Sequence, residues 1–294
     1  MTPPKPRATR RQKAQPSITD AQRVVECKLA PWGRGHRYQA TMDDGSKRWL
    51  RRTTSILNNL NKHTLYRWCS QQTANYYRDK LTKGERPDYW EAVAAPEVVR
   101  DEAAELGTTI HRCIEAYLRD GRMWNSRDLS PEANHALCQW LDWWRSTGWT
   151  ADQVEMTVWS LVGNYAGTLD LLVRLDDGTL VLVDWKTSKE LHPEYLWQAA
   201  AYAMALFEMG WGVVSKALIV RIPKSLGRPL AHVVAWDTPE RREHLMTGWA
   251  AFLTAINNLP ELEESQEAAL VPLPVTETDI ETTEAELEEL FRLL

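Results

Sequence analysis

Apolar positions change their spacing several times along this chain. Between Val24 and Leu50 they alternate with polar ones: Val24-Val25-Glu26-Cys27-Lys28-Leu29, then Tyr38 to Thr41, then Trp49-Leu50, with Asp43-Asp44-Gly45 before the last. Period two sends successive side chains to opposite faces of a strand, and an Asp-Gly pair between two such runs signals a hairpin. A small strand region is predicted there. From Ser55 to about Thr147 the helical spacing of three and four dominates. Val98, Ala103, Leu106, Ile110, Ile114, Tyr117 and Leu118 follow it and predict a helix from about Pro96 to Arg119.

After Gly148 strand formers return. Val154 to Trp159 is one run, and Leu169, Leu171, Leu172 and Val173 flank Asp170 in another. Leu180-Val181-Leu182-Val183 is continuously apolar, as a buried strand is, and Asp176-Asp177-Gly178 supplies the turn before it. Pro193 to Met209 reads as an alanine-rich helix, Lys216 to Ile222 and Leu230 to Trp236 as strands, and Pro239 to Leu259 as a closing helix. Three strands, a helix and a further strand predict an α/β fold with a mixed sheet. The helices of residues 54–147 would wrap one side of it and the closing helix the other.

The hairpin near Asp177 carries candidate chemistry. Asp170 and Asp184 each lie seven residues from the turn, hence opposite one another. Asp184 and Lys186 share a face while Trp185 points away. Two ionised carboxylates leaving an apolar sheet side by side repel and lose hydration, so one holds its proton unless a cation intervenes. That cation is either Lys186, as a structural ion pair, or a divalent ion that takes oxygen ligands and keeps waters for a phosphate. Gln198 and Tyr202, four apart, share one face of the following helix. On the upstream helix His111 lies one turn from Gly107 and one from Glu115. Histidines so placed are more often packing residues, but Asp170 and Asp184 downstream favour a ligand.

Gly167-x-x-Asp170, Asp184-x-Lys186 and Gln198-x-x-x-Tyr202, preceded by Gly107-x-x-x-His111, resemble the PD-(D/E)XK nuclease superfamily, in particular its RecB-type, phage-exonuclease-like branch. Thr53-Thr54-Ser55-Ile56-Leu57, with Leu65 and Trp68 downstream, is similar to the opening of phage and prophage members, so the resemblance covers roughly residues 50–235. It implies a restriction-endonuclease-like core, a mixed central sheet flanked by helices, with an N-terminal helical region. It implies that His111, Asp170 and Asp184, with the Trp185 carbonyl available, ligate one or two divalent ions, Mg²⁺ or Mn²⁺. Lys186 would orient or deprotonate the attacking water and stabilise phosphate charge, with Gln198 and Tyr202 positioning the lysine and the nucleic-acid backbone. A lysine of ordinary pKa, ~10.4, is charged at neutral pH, so an electrostatic role comes first. Glu115 reads equally as an acid holding His111 or a solvated neighbour. Glu155 reads as an edge-strand charge, the preferred reading, or, from the acidic residue of family members near this strand, as help for a second metal or the substrate.

The implied activity is a metal-dependent deoxyribonuclease, foremost an exonuclease taking single-stranded DNA or DNA with free ends, in phage or prophage recombination, replication or repair. An endonuclease on the same core and a non-catalytic module holding DNA ends are the alternatives. RecB-type relatives often hold an iron–sulfur cluster through four cysteines, three closely spaced. Here Cys27, Cys69, Cys113 and Cys138 lie 42, 44 and 25 residues apart, and no cluster is expected. No Gly-x-x-x-x-Gly-Lys-Ser/Thr motif marks a helicase motor, which leaves unwinding to a helicase or a single-strand annealing or binding partner.

Charge modifies this picture less than the net of −5 suggests. Residues 1–20 net +4 and residues 260–294 net −10, leaving +1 for 21–259, so the acidic balance is a tail effect. Pro3, Pro4 and Pro6 predict a disordered basic start, free to touch phosphates or merely solvated. Residues 21–259 are expected to form the nuclease domain, with a helical wrap over 54–147 and a catalytic core over about 96–259. Residues 260–276 form a tether, and Ile280, Leu287, Leu290, Phe291 and Leu294 predict a terminal amphipathic helix that docks on a partner or over the basic groove. The longest apolar stretch, Ala199 to Phe207, is too short for a bilayer; without close cysteine pairs or a signal segment, a cytoplasmic protein of a bacterial or phage-infected cell is expected. Most of the fifteen tryptophans, Trp140, Trp143 and Trp144 among them, belong in a core. Trp68, Tyr76, Tyr77 and Trp90, interleaved with Arg67, Arg78, Lys80 and Lys83, are candidates for stacking on unpaired bases. Lys224, Arg228 and Arg221 read as a phosphate-contacting rim or a solvated hairpin.

Overall fold

A computed structural model describes residues 23–33, 35–58, 62–226, 230–236 and 242–258. The basic start, the acidic tether and the terminal helix expected from sequence lie outside the described residues, as does Arg228. The whole of the sheet lies in one compact unit, which ends at Ile256.

The alternating region forms a meander of β1 (Val24–Trp32), β2 (Gly35–Met42) and β3 (Lys47–Arg52). Its registers Leu29↔Tyr38 and Tyr38↔Leu50 put Tyr38, Ala40, Met42 and Leu50 on one buried face, against Ala166. The Asp43-Asp44-Gly45 signal is the β2–β3 turn, where Asp44 Oδ1 accepts from the Ser46 N–H at 2.8 Å and Gly45 takes φ 79°.

Helices follow: α1 (Thr53–Asn58), α2 (Lys62–Thr82), α3 (Tyr89–Asp120) and, after a 3-10 turn at Ser126–Asp128, α4 (Pro131–Thr147). The 32-residue α3 starts at Tyr89, well before the expected Pro96. Asp88 explains the difference, since its carboxylate caps the helix by accepting from the Glu91 N–H at 2.9 Å. Pro96 then sits inside the helix, with no N–H to give, and is buried. The helix stops at Gly121, whose φ of 65° lets its N–H return to Tyr117 O.

The second half runs β4 (Ala151–Ser160), β5 (Tyr165–Arg174), β6 (Leu180–Lys186), α5 (Pro193–Glu208), β7 (Val214–Arg221), β8 (Ala231–Trp236) and α6 (Arg242–Asn258). One eight-stranded sheet results, ordered β1-β2-β3-β5-β6-β7-β8, with β4 pairing β5 as a branch. The β3–β5 and β6–β7 pairs are parallel and the others antiparallel. The expected α/β fold with a mixed sheet is the one adopted.

The branch divides the sheet at β5. β4 lines one edge of that strand from Ala151↔Val173 to Ser160↔Tyr165. The other edge is shared: β3 pairs with Tyr165 and Ala166, and β6 with Leu171 to Arg174. Gly167 to Asp170 therefore face a fork between two strands. On one side of the sheet, Ile110 and Ile114 of α3 and Leu137 and Trp140 of α4 pack over Val181, Val183, Trp185 and Val220. Trp185 meets Trp140 and Trp143 edge-on at 5.9 and 6.0 Å. Elsewhere α5 packs against β4 and β7, and α6 approaches α5 at Gly248 and β5 through Phe252, 4.9 Å from Tyr165. α1 lies against α5 rather than with the other helices of residues 54–147, because it follows β3 directly into the fork.

Candidate active site

The β5–β6 register brings the two acids together. Leu171↔Val183 is the last pair before the fork, so Asp170 and Asp184 come next in line where the strands part. There Asp170 Oδ2 takes the place of a ladder carbonyl, accepting the Trp185 N–H at 2.6 Å. The sequence resemblance implicates the Trp185 carbonyl; the contact found is with its amide. Asp170 Oδ1 stands 3.6 Å from His111 Nδ1, carried in by α3. The helix comes this close because Gly107 has no side chain: a Cβ there would lie 2.9 Å from Thr187 Oγ1.

Glu155 completes a group that the sequence pattern assembles differently. Val154↔Leu171 and Met156↔Leu169 flank it, so it lies opposite Asp170 on β4, with a left-handed φ of 50°. A non-glycine residue held there costs roughly 1–3 kcal/mol, and such strain concentrates at functional sites. One ligand atom each from His111, Glu155 and Asp170 fall within 4.8 Å of one another. β4 is an edge strand as expected, but Glu155 does not behave as a solvated edge charge. Burial, then Asp170 and Glu115, push its carboxyl up to about 8 against the pull of Arg119. Glu115 itself pairs with Arg119 at 2.9 Å rather than serving His111.

Asp184 stands beside this trio rather than within it. Almost fully buried, it forms an ion pair with Lys186, whose Nζ lies 2.7 Å from its Oδ2. Burial raises the Asp184 pKa and Lys186 opposes the rise. Burial pulls Lys186 the other way, but Asp184 and Asp170 outweigh it and the ammonium titrates above its ordinary value. Lys186 also donates to Gln198 Oε1 at 2.9 Å, and Gln198 Nε2 donates to Tyr202 OH at 2.8 Å. Both partners lie on α5 in the buried layer. A Cβ at Gly167 would collide with the Tyr202 ring, so the glycine of the Gly-x-x-Asp motif makes room for it.

A cavity of about 420 Å³ opens over this arrangement, lined by Gly107, His111, Arg112, Glu155, Asp170 and Thr187 among others. The His111 imidazole and the Glu155 and Asp170 carboxylates form a donor set suited to a hard or borderline divalent cation.

The outlying basic candidates are not brought to this cavity alike. Lys224 reaches its edge, donating to Ala103 O at 3.0 Å. On α2, Arg78 pairs with Asp79 at 3.3 Å, and Lys80 with Glu85 at 3.0 Å and Glu91 at 3.6 Å. These pairs compensate charge that the sequence pattern interleaves with its candidates for base stacking. Arg67 is exposed on α2, and Arg221 closes β7 with contacts of its own. Tyr76 donates to Glu91, while Trp90 is exposed beside Tyr89. Among the described residues no helix is long and apolar enough to cross a membrane.

No curated protein sequence matches the chain. The crystal structure of SSO0001 is similar over 76% of this chain and 95% of that one, at 14% identity and a TM-score of 0.31. That of a protein from Eubacterium rectale named "Putative exonuclease" is similar over 71% and 91%, at 9% identity and a TM-score of 0.35. The family model described as the PD-(D/E)XK nuclease superfamily matches residues 66–293, well over half of the chain. The chain belongs to the PD-(D/E)XK nuclease superfamily.

Proposed function

We propose that this protein is a divalent-metal-dependent deoxyribonuclease that hydrolyses phosphodiester bonds from strand ends. The observation carrying the reading is the adjacency of two parts: the His111–Glu155–Asp170 trio and the Asp184–Lys186–Gln198–Tyr202 chain of contacts. Both meet at the fork in the sheet.

His111, Glu155 and Asp170 would hold a Mg²⁺ or Mn²⁺ ion, with Asp184 in reach for a shared or second one. Such an ion, when bound, neutralises phosphate charge and makes a coordinated water more acidic. Lys186, protonated at neutral pH by its acidic neighbours, places positive charge where negative charge develops on the phosphate. Gln198 accepts from that ammonium and Tyr202 holds Gln198, so the lysine is aimed by a buried chain and needs no reorganisation during the reaction. Trp185, wedged against Trp140 and Trp143, keeps the strand carrying Asp184 and Lys186 rigid.

Action at ends, a cytoplasmic phage or prophage setting in recombination, replication or repair, and reliance on a helicase or single-strand annealing or binding protein rest on the sequence resemblance. The test is digestion of 5′- and 3′-labelled linear single and double strands beside a closed circle, with Mg²⁺ or Mn²⁺. End-labelled linear DNA is expected to be degraded and the circle spared; cutting of the circle would make the protein an endonuclease. Asp170→Asn, and Asp184→Asn with Lys186→Met, should abolish cleavage in folded protein that still binds DNA. No cleavage by the wild type with either ion would leave a DNA-end-binding module in its place.

A further inference from the structure

The β1–β2–β3 meander has a second face that the site does not use. Its inner face is accounted for by Tyr38, Ala40, Met42 and Leu50, packed toward Ala166 and Trp159. By alternation and by the registers Gln39↔Trp49, Lys28↔Gln39 and Ala30↔Arg37, the outer face carries Glu26, Lys28, Trp32, Arg37, Lys47 and Trp49, with Lys28 paired to Glu26 at 3.1 Å. An outward sheet face of a globular protein is ordinarily polar. Here it holds two tryptophans, on outer strands and in contact, their ring centroids 4.6 Å apart at 56°. The Arg37 guanidinium lies 4.7 Å from the centroid of the Trp32 ring. Trp32 is 37% exposed and Trp49 half-buried, so neither belongs to the core.

The surrounding charge matches a polyanion. Residues 23–52 carry eight Lys and Arg against three acids, a net of +5 in a chain whose whole net is −5. Aromatic faces set in a basic sheet suit unpaired bases, because every base offers a π-face and the backbone supplies the negative charge. A duplex buries its base faces and fits this surface less well. The meander is continuous with the candidate site: β3 pairs with Tyr165 and Ala166 of β5, from which Gly167-Thr168-Leu169 lead to Asp170.

We propose that the outer face of this meander is a single-strand DNA platform, with Trp32 and Trp49 stacking on bases and Arg37 and Lys47 meeting the backbone. The platform rests on the nuclease reading only in that the strand held there is the one delivered to the site. Arg37 against Trp32 holds the indole in place before the strand arrives.

The experiment measures binding of a fluorescein-labelled oligo(dT) and an abasic oligonucleotide of equal length by full-length protein, in EDTA, so that it does not depend on cleavage. Wild type is expected to prefer oligo(dT). Trp32→Ala and Trp49→Ala should each weaken that binding about five- to a hundred-fold, leave the abasic strand within about twofold, and so abolish the preference. Trp32→Phe, which keeps a ring, should retain most of it, with thermal unfolding checked for each variant. Equal losses for both strands, or none for oligo(dT), would overturn the platform. So would a change in oligomeric state on Trp32→Ala with DNA affinity intact, which would assign the face to a second copy of the chain. Removal of residues 260–294 should leave the Trp32 dependence in place; its disappearance would overturn the proposal in favour of the acidic tail as occupant. Loss of the nuclease reading, by contrast, would show as failure to cut with binding unaltered.

Discussion

Replacing Lys186 by Met exposes the electrostatic balance of the site. In the native protein Lys186 Nζ sits 2.7 Å from a carboxylate that is almost fully buried. Removing one partner of such a pair leaves an uncompensated buried charge, at a cost of about 3–5 kcal/mol. Asp184 has an escape, since it can take up a proton. Its folded-state pKa already lies above its ordinary value because of burial, and Lys186 is the chief influence holding it down. Met at position 186 should drive it higher. A carboxyl whose folded pKa exceeds its unfolded value binds more protons folded than unfolded within that interval. Stability then falls as pH rises from the unfolded pKa, ~3.9, through the folded one, and is level beyond. Each pH unit in the window is worth ~1.4 kcal/mol. Relative to wild type, Lys186→Met should therefore lose about 3–5 kcal/mol at pH 8 and much less at pH 5. Adding Asp184→Asn should recover most of the loss and remove its pH dependence. Urea unfolding in EDTA at pH 5, 6.5 and 8 reads this directly. A deficit independent of pH, or as large in the double variant, would refute the reasoning.

Other perturbations probe the close approaches around the site. Gly167→Ala forces a Cβ against the Tyr202 ring and should cost about 1–3 kcal/mol by overpacking while lowering cleavage through Gln198 and Lys186; Tyr202→Leu in the same chain should restore the stability but not the activity. Gly107→Ala, aimed at Thr187 Oγ1, should weaken divalent-ion binding by pushing His111 away, and Thr187→Ala should relieve it, as isothermal titration would report. Because Glu155 holds its proton up to about pH 8 without an ion, Mn²⁺ affinity should rise with pH from 6 to 9, releasing a proton, and Glu155→Gln should flatten that dependence. Unaltered pH dependence in Glu155→Gln would remove it from the ligand set.

Much of this architecture is legible in one dimension because the signals are local. The Asp43-Asp44-Gly45 and Asp176-Asp177-Gly178 turns set their hairpins, and the equal distance of Asp170 and Asp184 from the second turn puts the acids opposite one another by counting alone. Period two separates Trp185 from its neighbours, and a spacing of four places Gln198 and Tyr202 together. The start of α3 escapes the pattern because Pro96 is a familiar first-turn residue, whereas the Asp88 cap carries a weaker signal. Glu155 looks like a solvated edge charge in sequence because strand alternation says nothing of a left-handed residue or of the strand on which it lies.

What the residue order determined by itself is the set of elements, their facings and the acid–acid–lysine hairpin, all products of backbone stereochemistry over short separations. Tertiary structure alone decided that β3 and β6 share one edge of β5 and open a fork at Asp170. It also decided that α3 reaches that fork through Gly107, that Glu155 rather than Asp184 joins His111 and Asp170, and that two tryptophans meet on the meander's outer face. Those outcomes depend on contacts between residues tens of positions apart, where packing and charge compensation choose among partners that local pattern leaves equivalent.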